Sequence, residues 1–111
     1  MMQIHDRTMQ ILAEPTRRRI VELLAEQPRR VNDIAQALDM SGPATSRHLK
    51  VLRQGGVVED MHPEDDARVR VYRLRPEPFA ELHAWVERIE SFWAIQLEAF
   101  KDHVDTSRGG E

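Results

Sequence analysis

A mainly α (α+β) fold is what this sequence of 111 residues predicts: a three-helix core, a two-stranded β-hairpin and a long C-terminal helix. Three observations carry the prediction. Prolines at 15, 28, 43, 63, 76 and 78 cut the chain into segments whose apolar residues mostly recur at helical spacing. The stretch 57–74 is instead β-branched and interrupted by a turn-forming run. The last third carries one unbroken apolar stripe.

Each element follows in order. Ile4, Thr8, Met9, Ile11 and Leu12 mark a first helix over 4–13. Pro15 suits the first turn of a second helix, along which Ile20, Leu23 and Leu24 repeat until Pro28. Asn32 is read as the N-cap of a short third helix with Ile34, Ala35 and Leu38 on one face. Ser41 caps a fourth helix, with Pro43 in its first turn, and Gly55-Gly56 stops it. Val57-Val58 and Val69–Leu74 form a hairpin around the turn-forming residues 61–67. Beyond Pro78 one helix runs to about Val104, and 105–111 is expected to be a disordered tail.

The order helix, short turn, helix, hairpin is that of a winged helix-turn-helix. The expected single domain spans 1–104, with the helix-turn-helix at 31–53, the wing at 57–74 and the dimerisation helix at 77–104. Ile34, Leu38, Met40, Leu49 and Leu52 supply its internal seam, and small Ala35 lets two helices approach closely. The opposite face of the fourth helix then presents Ser41, Gly42, Ala44, Ser46 or Thr45, Arg47, His48 and Lys50. Small hydroxyls at a thin N-terminal end, followed by cations, are what reading base edges in a major groove requires. Lys50 and Arg53, a turn later, suit phosphates.

Composition agrees. The net charge of −3 hides a division: residues 1–58 carry +3 and residues 59–111 carry −6. A basic half joined to an acidic one points toward nucleic acid. No cysteine is present, which excludes disulfides, thiolate metal sites and a thiol nucleophile. No apolar run reaches the ~20 residues of a membrane span and the first residues lack a signal-peptide layout, so a soluble, cytoplasmic protein is expected.

Two stretches are similar to a known family. Ala13-Glu14-Pro15-Thr16-Arg17-Arg18-Arg19-Ile20-Val21-Glu22-Leu23-Leu24 resembles the second-helix opening of ArsR-type winged-helix repressors. Ser41 to Val57, SGPATSRHLKVLRQGGV, resembles their recognition helix and its exit into the wing, and Val71-Tyr72-Arg73-Leu74 their second wing strand. The resemblance covers roughly 4–104. It implies a homodimeric transcriptional regulator, usually a repressor, whose DNA-facing group is Ser41, Gly42, Ala44, Thr45, Ser46, Arg47, His48 and Lys50, with Arg17 at a phosphate. Two departures stand out. Asp39 holds the turn position where a Gly is common, and the hairpin tip Glu64-Asp65-Asp66 is acidic, which would repel phosphates. Wing contact would then come from Arg68 and Arg70 on the strand.

Dimerisation is read from the last helix. Phe79, Leu82, Val86, Ile89, Trp93, Leu97, Phe100 and Val104 step by three and four residues, and Trp85 and Phe92 widen the stripe. A chain this small, which buries only roughly 65% of its unfolded surface, cannot cover it alone. A two-fold partner, with Met9 and Leu12 of the first helix alongside, would cover it. Paired recognition helices ~34 Å apart then predict double-stranded DNA carrying an inverted-repeat operator.

Other functions are weaker. His83 and Glu87 stand four residues apart and His103 lies further down, so a metal-responsive repressor using these histidines is an alternative; the expectation is no metal and no cofactor. A winged-helix protein-interaction module without DNA binding is the other alternative. No catalytic motif is present, so no enzyme is expected, and the effector is unknown.

Overall fold

The computed structural model describes residues 4–63, 66 and 68–109. Helix α1 (Ile4–Leu12) meets α2 (Pro15–Glu26) at a turn capped by Glu14, whose Oε2 accepts the N–H of Arg17 at 2.9 Å. Pro15 takes the first helical position, where no N–H is needed. After Pro28 the chain is extended, and Arg29–Arg30 form a short strand, β1. Pairing there keeps Arg30 extended and makes it the N-cap of α3 (Val31–Ala37), in place of the expected Asn32.

The α3 to α4 turn depends on one strained residue. Asp39 has φ 54, the left-handed region that Asp enters more readily than most residues. Met40 can then send its N–H back to the carbonyl of Ala35 at 2.8 Å. Ser41 caps α4 (Gly42–Gln54), its Oγ accepting the N–H of Ala44 at 3.2 Å. At the other end Gly56 adopts φ 75, and the N–H of Val57 reaches the carbonyl of Leu52 at 2.9 Å. The glycine stop read from the sequence is therefore a left-handed termination.

The wing is three-stranded where two strands were expected. β2 (Val58–Met61) and β3 (Val71–Leu74) pair antiparallel from Val58↔Leu74 to Met61↔Val71. β1 adds to the other edge of β3 through Arg29↔Tyr72 and Arg30↔Val71, giving the order β1-β3-β2. Two residues are too few for periodicity to reveal β1. The tip residues Glu64 and Asp65 lie outside the described residues, so the question of the acidic tip rests on Asp66 alone.

Ile11, Ile20, Leu24, Ile34, Leu49, Leu52, Val57, Val58 and Tyr72 form the core. Helices α1 to α4 and strands β2 and β3 supply it, Phe79 of the last helix packs against it, and Ala35 is buried where α3 meets α4. Helix α5 (Pro76–Gly109) packs on α1 and then runs on, stretching the molecule to 74 × 31 × 26 Å. The helix continues through 105–109, where a disordered tail was expected. Asp105-Thr106-Ser107-Arg108 contains neither glycine nor proline, so no strong breaker interrupts the helix there.

Candidate nucleic-acid interface

Helix α4 is held by its buried face. Leu49 and Leu52 enter the core, and the cap at Ser41 fixes where the helix begins. Its other face carries Ser41, Ser46, Arg47 and Lys50, all exposed, with Gly42, Ala44 and His48 half-buried beside them. A side chain added at Gly42 would meet nothing within 4 Å, so the helix enters open space N-terminal first. Among the described residues Arg47 and Lys50 have no hydrogen-bond or ion-pair partner.

Three sequence expectations are corrected here. Thr45 was placed on the same face as Ser46, but it is fully buried and its Oγ1 donates to the carbonyl of Ser41 at 2.8 Å. One position along a helix turns a side chain by about 100°, which separates exposed Ser46 from internal Thr45. Arg17 was expected at a phosphate. Its Nε instead donates to the carbonyl of Ile11 at 2.7 Å, tying the end of α1 to α2. Arg68 and Arg70 were expected on the strand, yet both precede β3.

His48 lies against α2. Its Nδ1 is 3.8 Å from Glu14 Oε2, the same oxygen that caps α2. The Glu14 carboxyl is held below its ordinary value, first by the Arg17 N–H; partial burial opposes this, and the Thr16 N–H, His48 and the Thr16 hydroxyl add to it.

Between α4 and the wing runs a groove of about 470 Å³ lined by Val31, Ser46, Lys50, Arg53, His62, Arg68, Arg70 and Tyr72. The hairpin brings Arg68, Arg70 and His62 opposite α4, and His62 is locked by its Nδ1 contact to the carbonyl of Val69 at 2.8 Å. His62 and Tyr72 were not singled out for this face from the sequence. The only signal was their place within or beside the predicted hairpin. Tyr72 is buried, and its hydroxyl meets Arg70 Nη1 at 3.5 Å. That contact and then Asp60 raise the Arg70 guanidinium further above its ordinary value.

Arg53, in the last turn of α4, and the wing arginines differ from Arg47 and Lys50 in being paired. Arg70 Nε lies 3.2 Å from Asp60 Oδ2, Arg53 Nη1 3.8 Å from Asp60 Oδ1, and Arg68 Nε 3.2 Å from Asp66 Oδ1. On the opposite face of β2, Glu59 takes Arg73 at 2.7 Å, as their cross-strand register dictates.

The apolar stripe of α5 divides. Phe79 is packed against the chain's own core, as is Leu12 of α1, so these two are core residues where a partner seam was expected. Met9 and Leu82 are half-buried. Val86, Ile89, Trp93, Leu97 and Phe100 are exposed, Trp93 at 59% and Phe100 at 67%, with Phe92 and Ile95 exposed beside them. His83 Nδ1 sits 3.4 Å from Glu87 Oε1, while His103 is ~30 Å further along the helix. Among the described residues no three His, Asp or Glu side chains converge as a metal site. No described helix is long and apolar enough to cross a membrane.

A capped recognition helix exposed above a β-wing defines a winged helix-turn-helix DNA-binding domain. Comparison with known proteins supplies its lineage. Residues 14–60 match the family model described as "Bacterial regulatory protein, arsR family". The chain is 40% identical over 101 residues to the HTH-type transcriptional regulator Rv2034 of Mycobacterium tuberculosis, covering 91% of this chain and 89% of the relative. It is 38% identical over 90 residues to the arsenical resistance operon repressor of Escherichia coli, covering 79% and 71%. Among solved structures it resembles the homodimeric winged helix-turn-helix domain Mb0332 of Mycobacterium bovis, a possible ArsR-family regulator. That match has TM-score 0.60 and 33% identity, with 77% and 76% of the two chains covered. The chain belongs to the arsR family of bacterial regulatory proteins. It is a transcriptional regulator and not an enzyme.

Proposed function

We propose that this regulator is a cytoplasmic homodimeric repressor that occludes an inverted-repeat operator in double-stranded DNA. The observation that carries the reading is the exposed face of α4, where Arg47 and Lys50 stand without intramolecular partners among the described residues. Ser41, Gly42, Ala44, Ser46 and Arg47 address base edges in the major groove, with His48 at their margin. Lys50, Arg53, Arg68 and Arg70 neutralise phosphates alongside. The exposed α5 stripe, from Val86 to Phe100, together with Met9 and Leu82, joins two copies and sets their recognition helices ~34 Å apart. The repressor assignment rests on the family and on the E. coli relative's role; dimerisation is supported by the M. bovis homodimer.

The test is a gel shift of the purified protein against the promoter region of its own gene at low and moderate salt. A discrete shifted band that competitor DNA does not remove is expected, and Arg47→Ala combined with Lys50→Ala abolishes it. Retention of the band in the double variant would refute the assignment of α4. Absence of any band at low salt would favour a protein-interaction module.

A further inference from the structure

We infer that Asp60 is a built-in counterion of the groove between α4 and the wing, limiting the affinity of this regulator for DNA of any sequence. The inference rests on the reading of that groove as a phosphate-binding surface.

The geometry is specific. β2 alternates its side chains, so Glu59 turns to Arg73 and Arg75 while Asp60 turns toward Arg53 and Arg70. Asp60 therefore joins the C-terminal part of the recognition helix to the residue that leads into β3. Each carboxylate oxygen takes one guanidinium, Oδ1 the Arg53 Nη1 at 3.8 Å and Oδ2 the Arg70 Nε at 3.2 Å. Both arginines line the groove, but Asp60 itself is not among its lining residues and its side chain is only 23% exposed. The carboxylate thus sits behind the two cations. It does not lie in the path of a ligand.

Charge bookkeeping gives the consequence. Two guanidinium groups and one carboxylate present a net charge of one to an incoming phosphate, where two unaccompanied arginines would present two. Arg47 and Lys50 of the same helix have no such partner among the described residues, so attraction is reduced at Arg53 and Arg70 and left intact at the two α4 cations nearer its N-terminus. Phosphate contacts carry no sequence information, so Asp60 weakens the sequence-independent part of binding while leaving base readout intact. A single-copy operator competes with a vast excess of other DNA, and a lower background affinity favours its occupancy.

The experiment measures binding to a duplex of arbitrary sequence by fluorescence anisotropy between about 50 and 200 mM salt. Asp60→Asn keeps the shape and removes the charge. The expected result is a plot of log K against log salt steeper by about 0.9 per subunit, and affinity at about 0.1 M salt raised up to about eightfold per subunit. Asp60→Glu should keep the wild-type slope. Circular dichroism melts set an assay temperature at which Asp60→Asn is folded, and Asp60→Ala, which also removes the charge, should show the same steeper slope. An Asn variant with unchanged or weaker binding, when Arg53→Ala and Arg70→Ala each weaken it, would overturn the role of Asp60 alone. If neither arginine variant changes binding, the groove is not a phosphate surface and the underlying reading fails with it.

Discussion

Trp93→Ala should convert the protein from dimer to monomer without unfolding the winged domain. The indole lies on α5 beyond the packing of that helix on α1, and 59% of the residue is exposed. An aromatic side chain can bury roughly 200 Å², so about 120 Å² of Trp93 is available to a partner. At about 25 cal/mol/Å² this is about 3 kcal/mol, or about 2 kcal/mol once the atoms that alanine retains are discounted. Two-fold symmetry counts the loss twice, giving about 4 kcal/mol and a dimer Kd weakened about a thousandfold. Sedimentation equilibrium over a concentration series measures that constant directly. Because the Trp93 side chain makes no contribution to the core cluster, the helical circular dichroism of the described core should persist at concentrations where the variant is monomeric. A variant that dimerises as tightly as the wild type would refute the assignment of this stripe as the seam. One that loses the winged fold would show that the stripe is internal to the monomer.

Further outcomes follow from the same geometry. Ser41→Ala removes the acceptor for the Ala44 N–H and should lower stability by about 1 kcal/mol in a denaturant melt, with weaker operator binding because the helix entry loosens. Gly55→Ala would place a methyl group against Ile11 Cδ1, so that this buried side chain must shift; a loss of about 1 kcal/mol is expected in thermal unfolding at matched protein concentration. Glu14 gives a pH dependence of known sign. Its folded value lies below its ordinary 4.5, so its contribution is complete above that pH and disappears as acid protonates the folded carboxylate. The melting-temperature difference between wild type and Glu14→Gln should therefore shrink on acidification through that range, and a constant difference would show that the cap charge contributes nothing.

Much of the fold is written in short stretches of sequence. Ser41 with Pro43 begins α4, Gly55-Gly56 ends it, Asp39 turns the corner before it, and the apolar spacing from Phe79 to Phe100 declares a long helix. Each of these signals depends on hydrogen bonds or side-chain directions within a few residues, so a local reading recovers it. The exposed cations of α4 were legible for the same reason: once Leu49 and Leu52 face inward, Arg47 and Lys50 must face outward.

What only the tertiary structure decided depends on neighbours distant in sequence. Strand β1 is two residues long and exists because β3 offers it an edge. Thr45 and Ser46 are both small hydroxyl residues, and only the packing of α4 on the core says which is internal. Arg17 resembles a free cation until the carbonyl of Ile11, six residues away, is seen to hold it. Leu12 and Phe79 fit a partner seam by their spacing, yet the chain's own core takes both. The Arg53–Asp60–Arg70 cluster requires a hairpin register and the end of a helix to coincide. Local periodicity carries the direction of a side chain; which partner waits in that direction is set by how the elements close on one another.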